Sequence, residues 1–338
     1  MANDYRIVDK VLVIDEGRKE IASHEFFEGD FVKAIIPEGV KKIGYWGFGG
    51  CKKLKEIVLP ASLESVAGEA FAMCPLKEIH FTNGCPRLRD ASSSSFGDNT
   101  TPWIKQQKKE QEYVVVGTIL FRHRSGEQKV VIPEGFEVIG ENAFCDDAAE
   151  EIVIPEGVKI IKHCAFSNCK KLKSVQLPNC VESIEDAAFL GCKELKEIVL
   201  PKKLKTLGSS VFGMCTSLES IVFPDKLKSI GANLFTNGYS ANKTSIHNVE
   251  SLLPAMLNGC KLNTKTSMWF LENLWNNEQS LKEIAVIYLT QSGTKVLTQA
   301  ELILLRNKQQ SISIMKDLKN NFTLRPAVIE KLDSFLKN

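Results

Sequence analysis

Apolar residues recur along most of the chain with a single spacing. The pattern reads L-x-x-I-x-L-P-x-x-V-x-x-I-x-x-x-A-F-x-x-C. Three copies show it plainly: LKEIVLPASLESVAGEAFAMC from Leu54, LKSVQLPNCVESIEDAAFLGC from Leu172 and LKEIVLPKKLKTLGSSVFGMC from Leu195. Pro37, Pro60, Pro133, Pro155, Pro178, Pro201 and Pro224 follow one another at intervals of 23, 73, 22, 23, 23 and 23 residues. Asp15 stands in the proline place of a first copy, and Thr82 stands there after Pro60. Within a copy, Leu195, Ile198 and Leu200 alternate with outward Val199, the period-2 signature of a short strand. Proline ends the strand because it has no N–H to continue a ladder. A second short extended piece follows, with Leu204 and Leu207 inward, and then a helical or 3₁₀ turn is expected, ending in the Phe212–Cys215 pair.

One such unit buries little, but stacked units place like on like and share a core. The spacing therefore predicts ladders. One ladder is Phe26, Phe48, Phe71, Phe144, Phe166, Phe189, Phe212 and Phe235. Each buried Phe adds ~1.5–3 kcal/mol by transfer from water. A second is Ile21, Ile43, Val66, Ile139, Ile161, Ile184, Leu207 and Ile230. A third is Cys51, Cys74, Cys169, Cys192 and Cys215, with Asp147 and Gly238 as departures. A cysteine at such a place acts as a small hydrophobe. The pattern from Val11 to Gly238 resembles the BspA-type leucine-rich repeats. That resemblance implies a right-handed stack of short parallel strands and a role in binding other proteins or surfaces, as secreted adhesins of the family do. The fold class expected is an α/β repeat solenoid of short strands and short helical turns, followed by an all-α C-terminal region.

The period divides the chain into residues 1–82, an insert at 83–130, a second block at 131–245 and a helical region at 246–338. In the insert, Asn83–Asn99 reads as a surface loop, with Phe96 as a possible core residue of a degenerate copy. Lys105–Glu112 reads as a short solvated helix. Glu112–Phe121 and Gln128–Ile132 flank Arg122–Glu127, which suggests a hairpin with Arg122, His123 and Arg124 at its tip. A tolerated decoration is preferred to a projecting binding patch, because charge runs are usually solvated faces. In the last region Asn248–Leu257, Thr264–Trp275, Ser280–Thr290, Thr298–Arg306, Ser311–Lys319 and Pro326–Leu336 read as helices. Ser280–Glu283 and Thr298–Glu301 are capping boxes, and Pro326 suits a first helical position. A solenoid must cover its last ring, so the first helices are expected to cap it and the rest to form a bundle.

Composition narrows the function. Lys+Arg number 43 and Asp+Glu 41, a net charge of +2, without the basic excess of a nucleic-acid binder. No run reaches the ~18 apolar residues of a membrane span, and the charged start has no signal-like apolar stretch. The ten cysteines contain no C-x-x-C, so zinc is not expected, and their recurrence at a fixed core place argues against a disulfide framework. Free thiols suggest a reducing, cytoplasmic compartment; the alternative is the cell surface, as in family members. The five histidines sit at unrelated repeat positions. No phosphate loop, dinucleotide fingerprint, zinc-helix motif or nucleophile elbow occurs. His163 and Cys164 are adjacent, which does not by itself make a nucleophile and base, and His163 is expected at the surface. No catalytic residue, metal or cofactor is expected, and the chain is not expected to be an enzyme.

The informative surface is the outward side of the strands. One row runs Ile35, Val58, His80, Val153, Gln176, Val199 and Val222, mostly aliphatic. The other runs Lys33, Glu56, Glu78, Glu151, Ser174, Glu197 and Ser220, mostly acidic. An exposed aliphatic stripe marks a contact surface, although β-branched residues also suit strands for their own sake; both readings stay open. The acidic row would favour a basic partner and disfavour DNA. The function expected is a non-catalytic scaffold that binds a protein partner on this face, acting as a monomer, with no nucleic acid and no membrane insertion.

Overall fold

The computed structural model describes residues 5–92, 94–97, 101–103, 105–106, 112–123, 126–236, 252–257, 260–273, 280–292 and 294–337. They form two compact units. One comprises residues 1–126 and 133–147, the other residues 127–132 and 148–338. Among the described residues no helix is long and apolar enough to cross a membrane.

The first unit opens with an antiparallel hairpin, Tyr5–Val8 against Val11–Ile14. Parallel strands then add in order at Lys33–Ile35, Glu56–Leu59 and Glu78–Phe81. A second sheet stacks the two-residue strands Glu20–Ile21, Lys42–Ile43, Ser65–Val66 and Asp90–Ala91. The second unit repeats the plan. Lys129–Val131, Glu151–Val153 and Ser174–Gln176 pair in parallel, and so do Glu197–Val199 and Ser220–Val222. Its second sheet runs through Ser183–Ile184, Thr206–Leu207 and Ser229–Ile230. The middle residues of these strands point inward: Ala34, Ile57, Ile152, Ile198 and Ile221 are buried, and Val175 of Ser174–Gln176 is half-buried. A parallel-stranded solenoid with C-terminal helices is thus the fold, as the repeat pattern implies.

The third side of each coil departs from the expected helical turn. A helix would spend its N–H groups within the coil. Here they alternate instead. The N–H groups of Glu25, Phe27 and Gly29 donate to carbonyls three residues back, while those of His24, Phe26 and Glu28 donate to Tyr45, Gly47 and Gly49 of the next coil. The second unit does the same, with Phe166 N–H donating to Ala188 at 2.7 Å and Phe189 N–H to Val211 at 3.0 Å. This alternation requires left-handed backbone at two places four residues apart, as at His24 and Glu28 or at Ser210 and Met214. His24, Trp46, Glu69 and Asn142 in the first unit, and Cys164, Ala187, Ser210 and Asn233 in the second, all have φ between 53° and 60°. Left-handed backbone costs an L-residue roughly 1–2 kcal/mol; the cross-coil hydrogen bonds offset it.

Those bonds bring the phenylalanines into file. In the second unit Phe166, Phe189, Phe212 and Phe235 stack at centroid distances of 5.1, 5.9 and 6.5 Å. In the first, Phe26, Phe48, Phe71 and Phe96 stack at 5.3, 5.2 and 5.8 Å. Phe96 is therefore a full member of the ladder. The described part of the Asn83–Asn99 stretch is a coil of the solenoid rather than a surface loop, since Asp90–Ala91 pairs with Ser65–Val66.

The hairpin also differs from expectation. It joins Tyr113–Val116 to Ile119–His123 through Gly117 and Thr118, because Gly117 supplies a positive φ of 57° where a two-residue hairpin turn needs one. Its second strand pairs in parallel with Val138–Ile139, so it is a rung of the first unit. His123 is buried, not at a tip; Arg124 lies outside the described residues, as does most of the Lys105–Glu112 helix. Gln128–Ile132 is no hairpin arm: its strand pairs in parallel with Glu151–Val153.

In the second unit the coils lead into helices. The strand Lys261–Leu262, not foreseen from sequence, continues the sheet beside Ser229–Ile230. Helices follow at Leu252–Leu257 (α1), Thr264–Asn273 (α2), Leu281–Thr290 (α3), Thr294–Arg306 (α4), Lys308–Asn321 (α5) and Pro326–Lys337 (α6). Residues 248–251 of the first expected helix lie outside the described residues. Helix α2 covers the last ring: Trp269 and Phe270 meet Phe235 at 4.8 and 5.9 Å. Thr266 Oγ1 donates to the Gly231 carbonyl at 2.6 Å. Helix α3 is the hub, packed against α1, α4, α5 and α6. Helix α4 begins a turn before the Thr298–Glu301 box, which therefore lies in its interior. The reason is its apolar stripe, since Val296, Ala300 and Leu304 are all buried at helical spacing.

Candidate protein-binding face

Register places the predicted rows. In the first unit Lys33, Glu56 and Glu78 are strand partners, and so are Ile35, Val58 and His80. Their side chains knit together. Lys33 Nζ lies 2.6 Å from Glu56 Oε1, and His80 Nε2 lies 3.3 Å from both Glu56 Oε1 and Glu78 Oε2. Ile35 and Val58 are half-buried beneath this net, whereas His80 is exposed. The row called acidic is here a mixed-charge network.

In the second unit Glu151 faces Ser174, Val153 faces Gln176, Glu197 faces Ser220 and Val199 faces Val222. Two residues missed in the sequence belong to the same rows: Lys129 opposite Glu151 and Val131 opposite Val153. Pro133 gives the signal for them, since it sets the phase that places Val199 two residues before Pro201. Val131, Val199 and Val222 are 61%, 65% and 43% exposed. The aliphatic stripe is therefore concentrated in the second unit.

Neighbouring coils are tied along their flanks by lysine–glutamate pairs one repeat apart. Lys41 lies 2.9 Å from Glu64 and Lys173 2.6 Å from Glu150. The hydrogen bonds from these lysines hold both carboxyls below their usual range. Such exposed pairs contribute little to stability.

The cysteines of the ladder, Cys51, Cys74, Cys169, Cys192 and Cys215, turn inward. All ten cysteines are free thiols. Cys51 Sγ donates to the Phe26 carbonyl at 3.0 Å, Cys74 to Phe48 at 2.9 Å, Cys192 to Phe166 at 3.3 Å and Cys215 to Phe189 at 3.1 Å. Each thiol thus binds the phenylalanine carbonyl of the preceding coil. Neighbouring thiols and burial push Cys192 well above the usual thiol range, and burial pushes Cys260 up to about 12. Asp147, the departure from this ladder, accepts a hydrogen bond from buried His123 Nδ1 at 2.7 Å.

Other groups come together where the sequence suggested nothing. Glu56, Glu78 and His80 have donor atoms within 4.8 Å of one another, the one such cluster among the described residues with metal-ligand potential. Lys33 already occupies Glu56. In the second unit an open groove of about 780 Å³ runs along the second sheet, lined by His163, Glu185, Asp186, Thr206, Gly208 and Asn263 among others. His163 is exposed, and its Nε2 lies 3.2 Å from Cys164 Sγ.

These features define a leucine-rich-repeat solenoid with an open strand face. The profile of the BspA type leucine rich repeat region matches residues 19–147 and 137–263 in six copies, and the chain belongs to that family. Such proteins typically mediate protein interactions or stand at surfaces, and are generally not enzymes. No curated protein matches the chain. Among solved structures, the T. pallidum leucine rich repeat protein is 30% identical over 35% of this chain and 58% of its own, with a TM-score of 0.35. The chain thus spans little over half of that protein. A leucine rich cell surface protein of Faecalibacterium prausnitzii is 17% identical over 75% of this chain and 88% of its own, TM-score 0.37. A leucine-rich repeat protein of Bacteroides ovatus is 19% identical over 78% and 94%, TM-score 0.31.

Proposed function

We propose that the chain is a non-catalytic scaffold that binds a protein partner through the outward face of its strands, with the valine stripe of the second unit as the contact core. The observation that supports this is the exposure of Val131, Val199 and Val222 on strands whose inward neighbours are fully buried. Val199 and Val222 are in register, as are Val131 and half-buried Val153, with Gln176 between the two pairs; water disfavours such exposed aliphatic side chains and a partner would cover them. Lys129, Glu151 and Glu197 at the edge of the strip would set register and charge preference. The ten free thiols favour a reducing compartment for this activity.

The test is affinity capture from the native cell with wild type and with Val199→Asp and Val222→Asp, each checked for an unchanged unfolding midpoint. Partners captured by wild type should be lost from both variants; capture that survives in the folded variants rejects this face. Cell fractionation addresses the compartment. A surface-bound pool would replace the cytoplasmic reading with that of an adhesin.

A further inference from the structure

Away from the strand face, the turn segments of the first unit carry a group of aromatic rings. Trp46 lies at its centre, with centroids 5.6 Å from Phe27, 6.3 Å from Tyr45 and 6.3 Å from His24. Phe27 and Tyr45 are 42% and 47% exposed, and Met73, one coil further, is 67% exposed.

The fold does not need these residues. Trp46 has φ +53°, at the left-handed place that Asn142, Asn233 and Ser210 fill in other coils. Asparagine suits that backbone, whereas a bulky side chain there is an outlier. A glycine makes room for the central ring: a Cβ on Gly49 would come within 2.4 Å of Trp46. A carboxylate completes the group. Glu69 Oε2 accepts hydrogen bonds from Trp46 Nε1 at 2.6 Å and Tyr45 Oη at 3.0 Å. Among the described residues no lysine, arginine or histidine forms an ion pair with Glu69.

Ring faces and an uncompensated carboxylate both attract a cation. A guanidinium answers both at once, because it is planar, stacks on aromatic faces and donates paired hydrogen bonds to a carboxylate. From Phe27 through Trp46 to Glu69 the group extends over three successive coils, more than a lone ammonium group would cover, and aromatic and arginine contacts are enriched in protein interfaces. We propose that Phe27, Tyr45, Trp46 and Glu69 form a docking site for an arginine-bearing segment of a protein partner. This rests on the chain being a protein-binding scaffold, but not on the strand face being the contact.

The experiment selects short random peptides on the full chain, and separately on Trp46→Asn and Glu69→Gln. Trp46→Asn recreates the residue that Asn142 and Asn233 show to be compatible with this backbone, so it should unfold no earlier than wild type. Wild type should enrich arginine over the input library, and both variants should lose that enrichment. The recovered peptide should bind Trp46→Asn about tenfold more weakly, the scale of a desolvated cation–π contact. It should bind Val199→Asp unchanged, which separates this site from the strand face. Absence of arginine enrichment, equal enrichment on the variants, or loss of binding on Val199→Asp would each overturn the proposal. So would a glycan-array hit abolished by Trp46→Asn without any arginine peptide.

Discussion

The two units use one repeat and differ where the repeat leaves a choice. In the second, four phenylalanines stack with planes 5°, 15° and 25° apart, and the outward valines stand bare. In the first, the stack runs from Phe26 to Phe96, where Phe121 meets Phe96 edge-on at 6.1 Å. The ring of His123 then lies on Phe144 at 4.7 Å. Outward positions there carry the Lys33, Glu56, Glu78 and His80 network. The difference teaches that inward places change together, since the histidine comes with Asp147 in the thiol place, while outward places change one at a time. Fold constrains the first set and leaves the second open to a partner.

The largest effect should follow from opening the regular stack. Phe189→Ala removes a ring packed on both faces and should cost about 3–5 kcal/mol by urea unfolding, through lost transfer energy and a cavity. Phe121→Ala, at the edge-on contact, should cost distinctly less. Equal costs would mean that the order of the stack is immaterial, and the contrast between the units would fail at its core.

Next comes the paired departure. His123 is fully buried and Asp147 nearly so, with Glu112 Oε1 3.4 Å from His123 Nε2. Asp147→Ala breaks the pair and should cost ~3 kcal/mol or more, whereas replacing both partners by apolar groups is often neutral or stabilising. His123→Phe with Asp147→Cys, which restores the ladder residues of the second unit, should therefore be no less stable than wild type. A double variant as unstable as Asp147→Ala would show that the exchange is tied to something other than these two side chains.

Much of this was legible in the sequence because the period fixes phase: once the prolines align, the inward Ile, Phe and Cys places follow. What was not legible sits where the pattern is silent. The alternating hydrogen bonds of the turn depend on backbone conformation at His24, Trp46 and Ala187, which share no residue type. The coil through Phe96 and the hairpin at Gly117 lack the proline marker. Helix α4 starts early because Val296 and Ala300 extend its buried stripe past a plausible cap. On the face, Val131 was missed because its strand read as a hairpin arm, and Trp46 because it occupies a place that carries no consensus.

A smaller effect tests the buried thiols. Cys260 and Cys85 have folded pKa values pushed up to about 12 and about 11, chiefly by burial. A thiol raised in the folded state lends stability that is fully present below the ordinary thiol pKa and lost as pH rises toward the folded value. Unfolding midpoints should therefore fall between about pH 9 and 12. At pH 8, mass spectrometry after brief alkylation should find Cys260 unmodified until denaturant is added. Rapid labelling of Cys260 in the folded chain would contradict its burial under the helices.

The smallest effect bears on the contrast between the faces. If the Lys33–Glu56 pair is surface chemistry rather than fold, a double-mutant cycle with Lys33→Ser and Glu56→Ser should give a coupling of about 0.2–1 kcal/mol that shrinks in high salt. The side chains are about one-third exposed, 32% and 30%, so the pair lies toward the upper end of that range. A coupling well above 1 kcal/mol, insensitive to salt, would make the network a structural clamp. The first unit's face would then be committed to holding its own coils, and only the valine stripe of the second unit would be left free for a partner.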